Sequence, residues 1–305
     1  MIACLFPGQG SQVVGMAQEL ADQFPAARAA IEEAEGVLPG LQELMWHGPD
    51  SSLRFTANAQ PALLAAGVAI YRILADQGLA FGAAAGHSLG EVTALVCAGT
   101  LDYPTGLRLV RRRAEHMQAA VPVGYGGMAA VLKATPRQVT AACAAAGNVV
   151  PASYNAPEQM VISGAKDAVE RASQALQAQG AQVVPLRVSA PFHSPLMAQA
   201  SVAFRADLAP IPFAPSRFPV VSTVTAQVLE SSQLRDTLAQ ALTAPVRWVE
   251  AVETLVRLGV TACVEAGPGT VLTGLMRRIV PSVPCYAVGT GSGLSHFLEA
   301  VCGPR

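Results

Sequence analysis

Charged residues are scarce in this chain, and neither sign is in clear excess. Lysine, arginine, aspartate and glutamate make up 13% of the 305 residues, and 20 basic side chains against 21 acidic ones leave a net charge of −1. A chain so nearly neutral creates no overall field that would attract nucleic acid or an anionic membrane surface. We therefore expect neither among its partners, although a local basic patch is compatible with this balance.

The sequence also lacks an apolar segment long enough to span a membrane. Proline, asparagine, glutamine or glycine interrupts each uncharged run before it reaches the roughly 20 residues that a bilayer requires. Residues 2–6 are apolar, but no basic segment precedes them and Pro7 and Gly8 end the run, so they do not fit a signal peptide. We interpret residues 2–6 as a first buried strand.

Cysteine pairs with the spacing of redox or metal-binding motifs are missing as well. Several of the cysteines lie in apolar segments, which is typical of reduced thiols in the core of a cytoplasmic protein. We therefore expect a cytoplasmic protein. The six scattered cysteines are Cys4, Cys97, Cys143, Cys263, Cys285 and Cys302.

Apolar residues, by contrast, make up 51% of the sequence, which is enough for a large folded core. Short runs of small or β-branched residues alternate with longer alanine-rich segments of helical periodicity. This alternation predicts an α/β fold in which helices cover a parallel sheet. The clearest helical segments are 25–35, 61–76, 91–98, 105–119 and 246–258.

The alternation changes between residues 124 and 189. The order strand, helix, strand, strand, helix, strand is that of a ferredoxin-like unit, which closes its own small sheet. Proline and glycine near its entry (121–127) and two prolines near its exit (189–195) are typical of hinges. We predict an inserted subdomain at 124–189, a catalytic core from 1–123 and 190–305, and a cleft between them. The six predicted elements are 128–132, 136–146, 149–153, 160–163, 166–179 and 183–188.

Residues 86–90 read G-H-S-L-G, which matches the G-x-S-x-G pattern of a nucleophile elbow. A small-residue run precedes the motif and a helical segment follows it. Flanking glycines allow Ser88 to sit on a tight strand-to-helix turn, and the helix N-terminus offers free N–H groups to a forming oxyanion. Because the pattern fixes only three positions, an ordinary glycine-serine turn is the alternative interpretation.

A serine hydroxyl needs a base, and the chain has only five histidines. His193 is the best candidate, because it lies in an irregular, proline-flanked segment at the exit of the subdomain. His87 is expected to point away from its neighbour Ser88. The other three histidines, which lie in polar or amphipathic settings typical of a surface or boundary, are His47, His116 and His296.

Two further segments are candidates for the site. The loop 7–12 (PGQGSQ) follows the first strand, and ligands in open α/β sheets bind at the carboxyl ends of strands. Arg111, Arg112 and Arg113 occupy one predicted helix, where successive side chains are rotated by roughly 100°, so at most one faces a buried pocket. A guanidinium in a cleft would bind a substrate carboxylate through two parallel hydrogen bonds.

Together these segments resemble the malonyl-CoA:acyl carrier protein transacylase family, which includes freestanding acyltransferases that load polyketide synthases. The resemblance covers nearly the whole chain. It implies a hydrolase-like α/β core with an inserted ferredoxin-like subdomain, in agreement with the organisation predicted above. The matching blocks are 6–12 (FPGQGSQ), 86–91 (GHSLGE), the helix with Arg113, 154–157 (YNAP), 192–194 (FHS) and 265–269 (EAGPG).

The resemblance implies a role for each matching residue. Ser88 is expected to be the nucleophile and His193 its general base, and the backbone amides of Gln9 and Leu89 are expected to form the oxyanion hole. Arg113 is expected to hold the free malonyl carboxylate. In this family a backbone carbonyl orients the histidine, so no third acid is required. The expected partners are malonyl-CoA and an acyl carrier protein, and neither a metal nor a resident cofactor is implied.

Further positions around the acyl group also match. Phe192, before the histidine, looks like the malonyl-type version of a position that sets acyl selectivity, as does Leu89, and His87 and Asn155 are expected to contact substrate. One segment departs from the family, since residues 244–248 read A-P-V-R-W where many bacterial members read N-P-V-Q-W. This places Arg247 at the position whose carbonyl is expected to support the histidine.

Several functions share these residues. Besides malonyl transfer, the sequence leaves open a polyketide-loading enzyme with another acyl substrate, a serine thioesterase or esterase, and a non-catalytic module that docks a carrier protein. Arg113 argues against the hydrolase, and the intact Ser88 and His193 argue against the docking module. The pathway stays open among fatty-acid synthesis, polyketide loading and malonate decarboxylation. We expect a monomer with a basic carrier-docking surface, for which the candidates are Arg111, Arg112, Arg277 and Arg278.

Overall fold

The computed structural model describes residues 1–186, 188 and 190–303, and its strands form two separate sheets. β1, β2, β7, β8 and β9 form a parallel sheet in the order β7-β2-β1-β8-β9, and the others form an antiparallel sheet in the order β4-β5-β3-β6. The strand bounds are β1 Ile2–Phe6, β2 Ala83–Gly86, β3 Gly126–Leu132, β4 Val149–Ala156, β5 Gln159–Ala165, β6 Gln182–Pro185, β7 Val220–Val221, β8 Ala262–Glu265 and β9 Cys285–Ala287.

Helices cover both faces of the parallel sheet. Alternate residues of a strand point to opposite faces, so Cys4 and Phe6 pack into one apolar core while Ala3 and Leu5 pack into another. The predicted α/β class and the buried first strand are confirmed. The helices are α1 Gln18–Gln23, α2 Pro25–Val37, α3 Leu41–His47, α4 Asp50–Leu53, α5 Thr56–Asp76, α6 Leu89–Cys97, α7 Tyr103–Ala119, α8 Pro136–Ala146, α9 Lys166–Ala178, α10 Ala198–Leu208, α11 Leu234–Gln240, α12 Trp248–Arg257, α13 Val271–Ile279 and α14 Gly291–Cys302.

The antiparallel sheet is built from one continuous part of the chain. Its elements follow in the order β3, α8, β4, β5, α9 and β6, which is the predicted βαββαβ sequence. Residues of α8 and α9 pack on one face of the sheet and form an apolar core of their own. Part of the opposite face, with Met128, Ala130 and Val161, lines a cavity shared with the larger sheet.

Helix α5 begins at Thr56, five residues before the predicted start at 61. Proline usually marks the first turn of a helix because it has no N–H and its ring clashes with the preceding turn. Here Pro61 lies inside the helix and leaves the carbonyl of Ala57 without its helical donor. Arg111 Nη1 supplies the missing donor at 2.9 Å from this oxygen, so a tertiary contact compensates for the proline.

Helix α12 begins at Trp248, two residues later than predicted. The reason is that Val246 bonds to strand β4 instead: its N–H donates to Ala152 O over 2.9 Å and its carbonyl accepts from Tyr154 N over 2.8 Å. Strand β6 ends at Pro185, whereas the predicted strand runs to 188. Arg187 and Ser189, which belong to that segment and to the predicted exit hinge, lie outside the described residues, as does the side chain of Cys302.

None of the helices in the described part of the chain combines the length and the apolar character that crossing a bilayer requires.

Candidate active site

Ser88 occupies the turn between β2 and α6, as the G-x-S-x-G pattern predicts. Its backbone has φ 53° and ψ −106°, a conformation that non-glycine residues rarely adopt and that is typical of functional sites. The flanking glycines permit this turn, because a Cβ built on Gly86 would lie 1.8 Å from Gly90 C and one built on Gly90 would lie 2.1 Å from Phe6 O. The backbone at the start of helix α6 therefore lies directly against the backbone at the ends of strands β1 and β2.

His193 reaches the serine from the loop that follows β6. Its Nε2 lies 2.8 Å from Ser88 Oγ, and its Nδ1 lies 3.1 Å from the carbonyl oxygen of Ala244. Since a carbonyl only accepts, Nδ1 carries the hydrogen and Nε2 presents a lone pair to the Ser88 hydroxyl. Burial, followed by the charges of Arg113 and His87, lowers the pKa of His193 to about 3. The ring is therefore neutral at pH 7, as a base must be.

The carbonyl that supports His193 belongs to Ala244 and not to Arg247, so the prediction for Arg247 is wrong. Arg247 stands at the start of α12, where its carbonyl accepts from Ala251 N over 3.0 Å and its N–H donates to Thr223 O over 2.7 Å. Its side chain turns outward to pair with Glu250. The Arg247 carbonyl thus accepts the first hydrogen bond of helix α12, and the acceptor for His193 Nδ1 is the carbonyl three residues earlier.

Arg113 points into the cavity beside the serine. Its Nη2 donates to Ser88 Oγ over 3.2 Å and its Nη1 donates to Gln60 Oε1 over 2.9 Å, while only 2% of the residue is exposed. Among the described residues, no carboxylate lies within 4.0 Å of this guanidinium. Burial lowers the pKa of Arg113 to about 10 and Glu91 opposes the shift, so the group is cationic at pH 7. A buried cation without an ionic partner favours an anionic ligand.

The side chains of the neighbouring arginines point away from the cavity, as the helix geometry predicts. Arg111 and Arg112 both pair with Glu115, and Arg112 also approaches Asp207. Of the arginines at 111–113, only Arg113 therefore enters the cavity.

The predicted oxyanion donors lie on the two loops that meet at the serine. Leu89 is the first residue of α6, and Gln9 follows β1, whose Phe6 is in register with Gly86 of β2. Within the described residues, neither the Gln9 nor the Leu89 backbone N–H donates to a protein acceptor. The Gln9 side chain donates from Nε2 to Thr56 Oγ1 over 3.1 Å, which fixes its loop against α5.

His87, Asn155 and Phe192 all line the same cavity, which has a volume of about 350 Å³. His87 Nε2 lies 2.8 Å from Asn155 Oδ1, and its ring centroid lies 5.7 Å from that of Trp248. Burial lowers the pKa of His87, although the hydrogen bond to Asn155 opposes the shift. The structure thus brings together every predicted site residue except Arg247.

Sequence reasoning missed several residues that line this cavity, and Gln60 and Met117 are the two nearest to Arg113 in its network. Gln60 is 1% exposed and accepts from Arg113, and Met117 lies beside it with Sδ 3.7 Å from Gln60 Nε2. A signal for Gln60 was present, since it is the lone amide at the start of an otherwise apolar stretch, 59–70. Met117 gave no signal, because a methionine at helical spacing indicates core packing as readily as a pocket wall.

Comparisons with known proteins point to one family. The family model described as the acyl transferase domain matches residues 4–290. The malonyl CoA-acyl carrier protein transacylase of Escherichia coli K12 is 43% identical over 304 residues, covering 97% of this chain and 98% of that protein. The protein of the same name from Bacillus subtilis 168 is 42% identical over 294 residues, covering 94% and 93%.

Solved structures agree with these sequence matches. A malonyl-CoA:acyl carrier protein transacylase from Xanthomonas oryzae pv. oryzae superposes with a TM-score of 0.95 at 42% identity, covering 98% of each chain. A malonyl-transacylase solved in complex with its type II polyketide synthase acyl carrier protein has the same TM-score and identity, covering 98% of this chain and 99% of that one.

A parallel α/β core with an inserted antiparallel sheet, a serine on a strand-to-helix elbow and these matches together define an acyltransferase. The predicted fold class and the predicted acyl transfer are thereby confirmed. The chain belongs to the malonyl-CoA:acyl carrier protein transacylase family.

Proposed function

We propose that this enzyme moves a malonyl group from malonyl-CoA to the phosphopantetheine thiol of an acyl carrier protein through a malonyl ester of Ser88. One observation carries the proposal: Ser88 Oγ lies 2.8 Å from His193 Nε2 and 3.2 Å from Arg113 Nη2. One hydroxyl thus meets both a base that takes its proton and a cation that holds a carboxylate. The names of the relatives support the same pair of substrates.

The first half-reaction forms the ester. His193 Nε2 accepts the Ser88 proton while Oγ attacks the thioester carbonyl, and the resulting imidazolium is stabilised by the Ala244 carbonyl on Nδ1. The backbone N–H groups of Gln9 and Leu89 stabilise the tetrahedral oxyanion. The oxyanion then collapses, the carbon–sulfur bond breaks, and His193 returns the proton to the departing coenzyme A thiolate.

The second half-reaction repeats these steps in reverse. The carrier thiol enters, gives its proton to His193 and attacks the Ser88 ester, and the serine oxygen leaves with that proton. Water is the competing acceptor. We infer that the apolar wall formed by Met117, Met128 and Phe192 disfavours water near the ester.

The free carboxylate of the malonyl group is the proposed ligand of Arg113. Gln60 occupies Nη1, so the guanidinium edge that faces Ser88 is presented to the substrate. His87 and Asn155, joined to each other, are proposed to contact the acyl or pantetheine part. Phe192 and Leu89 are proposed to limit substituents on the acyl chain.

The proposed reaction needs neither a metal nor a resident cofactor, because His193 moves the protons and backbone N–H groups hold the developing charge.

We also propose a cytoplasmic location, which is supported by the free thiols of Cys4, Cys97, Cys143 and Cys263. We further propose that residues 1–123 and 190–305 form the catalytic core and that residues 124–189 form the subdomain.

Intact-protein mass after brief mixing with malonyl-CoA tests the proposal. The parent chain should gain one malonyl group, the Ser88→Ala variant should gain none, and acetyl-CoA should label the parent much more slowly. Added carrier protein should then remove the label from the parent. Free malonate without an adduct would instead indicate a hydrolase, and neither adduct nor malonate would indicate a carrier-docking module.

A further inference from the structure

Glu91, one turn after the nucleophile, is a fully buried carboxylate, with 1% of the residue exposed. Both of its oxygens accept hydrogen bonds from the turn that follows β7. Oε1 accepts from Ser222 Oγ over 3.1 Å, and Oε2 accepts from Thr223 N over 2.8 Å and from Thr223 Oγ1 over 3.0 Å. The reaction proposed above gives this carboxylate no task.

The turn that Glu91 holds is connected to the base. Thr223 O accepts from Arg247 N over 2.7 Å, and the short segment from Arg247 back to Ala244 carries the carbonyl that accepts from His193 Nδ1. His193 Nε2 then meets Ser88 Oγ at 2.8 Å. The turn at Thr223 is therefore one anchor of the segment that holds the base, beside the hydrogen bonds of Val246 to strand β4.

Glu91 also contacts the nucleophile directly, because its N–H donates to Ser88 O over 3.1 Å. The contacts that run from the Glu91 carboxylate through Thr223 to His193 and Ser88 therefore return to Glu91. We propose that Glu91 is a positioning residue for acyl transfer: its carboxylate fastens the nucleophile elbow to the turn at Ser222 and Thr223 and thereby sets the distance between Ser88 and His193. The proposal rests on the proposed function, since it concerns the same serine and histidine.

The proposed positioning role uses the ionised form of the Glu91 carboxylate. An ionised carboxylate accepts all three hydrogen bonds as they stand, whereas a neutral amide would turn an N–H group toward one of the donors and force a hydroxyl such as that of Ser222 to reorient. Arg113 lies near enough to favour the ionised form, although the two do not form an ion pair within 4.0 Å in the described part of the chain. Burial raises the pKa of Glu91, and the hydrogen bonds from Thr223 and Ser222 oppose this shift.

Glu265 provides a matched comparison. It is 0% exposed, and its carboxylate likewise accepts three hydrogen bonds, from Leu272 N, Thr273 N and Thr273 Oγ1. These contacts cap helix α13, which lines another part of the cavity through Val271, Leu272 and Leu275, but the Glu265 carboxylate has no hydrogen-bonded path to Ser88 or His193 among the contacts of the described residues. Glu265→Gln therefore disturbs a buried carboxylate of the same kind without breaking the path to the base.

The experiment compares Glu91→Gln with Glu265→Gln in the rate of malonyl-ester formation, followed by rapid-quench mass measurement over a range of malonyl-CoA concentrations. Because an error of about 1 Å in the reacting groups can cost ~100-fold, we expect Glu91→Gln to lower the saturating rate by about that factor with KM little changed. Glu265→Gln should lose stability in urea without a comparable fall in the saturating rate. Equal rate losses in the two variants would overturn the proposal.

A second comparison separates positioning from general damage to the fold. If Glu91 acts through His193, then in a His193→Ala background Glu91→Gln should cost less than about threefold, because residues that act as a unit are not additive. The same large loss in both backgrounds would show that Glu91 acts by another route.

Two controls keep the outcome clear. If Glu91→Gln does not fold, Thr223→Val removes one donor while the backbone N–H remains, and it should lower the saturating rate in the same direction; a parent-like rate would overturn the proposal. Failure of the parent to form an ester on Ser88 would contradict the proposed function itself. A parent that forms the ester, with Glu91→Gln forming it equally fast, would contradict only the positioning role.

Discussion

Arg113 and Ser88 are joined by a hydrogen bond in which the guanidinium Nη2 donates to Oγ over 3.2 Å. The group proposed to recognise the substrate carboxylate therefore contacts the nucleophile directly. A carboxylate that binds Arg113 competes for this N–H and leaves Ser88 Oγ with His193 alone. If Arg113 holds the substrate carboxylate as proposed, recognition of the acyl group and activation of the serine share this one donor.

Substitution of Arg113 should change acyl selectivity more than it changes the chemistry. Arg113→Ala is expected to lower malonyl-ester formation by roughly 150- to 5,000-fold, since loss of one partner of a buried pair costs about 3 to 5 kcal/mol. Acetyl-ester formation should change far less. Arg113→Lys should not restore the preference, because an ammonium lacks the planar fork that matches a carboxylate. Competition between malonyl-CoA and acetyl-CoA, read by mass, measures this, and an unchanged ratio would remove Arg113 from carboxylate recognition.

The protein should become less stable as the pH falls, because His193 binds a proton less readily in the native state than in the unfolded chain. Its pKa is about 3 in the native state, against about 6.5 for an unfolded histidine. Between these values the unfolded chain binds more protons, so the free energy of unfolding decreases as pH falls, by at most about 1.4 kcal/mol per pH unit for one group.

Urea unfolding between pH 7 and 4 tests this slope. His193→Gln should make it shallower, because the group that titrates only in the unfolded state is gone. His47→Gln, which replaces an exposed histidine on α3, controls for the exchange of a histidine for a glutamine. Identical slopes for the parent and His193→Gln would mean that the native state protonates His193 in this range.

Gln60 should affect both the stability of the protein and its preference for malonyl-CoA, because it gives Arg113 a hydrogen-bond acceptor that carries no charge. Gln60→Leu leaves Arg113 Nη1 buried without a partner, which is expected to cost about 1 to 3 kcal/mol in the free energy of unfolding. Gln60→Glu keeps the size of the side chain but gives Arg113 a permanent carboxylate, so malonyl-CoA should lose its advantage over acetyl-CoA. Urea unfolding and the competition assay separate the two effects. A malonyl preference that survives Gln60→Glu would contradict this reading of the site.

The elbow should tolerate no side chain at Gly90. A Cβ there would lie 2.1 Å from Phe6 O, a backbone atom that cannot move without breaking the sheet. Gly90→Ala is therefore expected to destabilise the protein by about 3 kcal/mol or more, in the range of severe overpacking. Gly274→Ala is the control, since nothing lies within 4 Å of its Cβ position in helix α13. It should be neutral or stabilise by up to about 1 kcal/mol, and chemical denaturation of both variants checks the contrast.

Much of this site was predictable because its residues lie in local sequence patterns with physical causes. Glycines at 86 and 90 permit the strained turn at Ser88, and the 100° rotation along a helix is enough to separate Arg113 from Arg111 and Arg112. The βαββαβ order was likewise predictable from periodicity alone. Each of these inferences needs only the chain near the residue in question.

The errors arose where distant segments decide the outcome. Pro61 looked like the start of a helix because only the folded structure supplies Arg111 to the carbonyl that the proline leaves unpaired. The family resemblance places the acceptor of His193 at Arg247, and the sequence does not reveal that helix α12 already uses that carbonyl. Glu91 was visible in its motif, but its partners at 222 and 223 are more than 130 residues away.

The contact between Pro61 and Arg111 has a consequence for substrate choice. Helix α7 reaches α5 twice, through Arg111 to the Ala57 carbonyl and through Arg113 to Gln60. The first contact exists because Pro61 frees that carbonyl, and neither Pro61 nor Arg111 lines the cavity. If Arg113 holds the substrate carboxylate as proposed, the place of this cation beside Ser88 depends on how α7 is fixed against α5, and Pro61 and Arg111 contribute to that from outside the cavity.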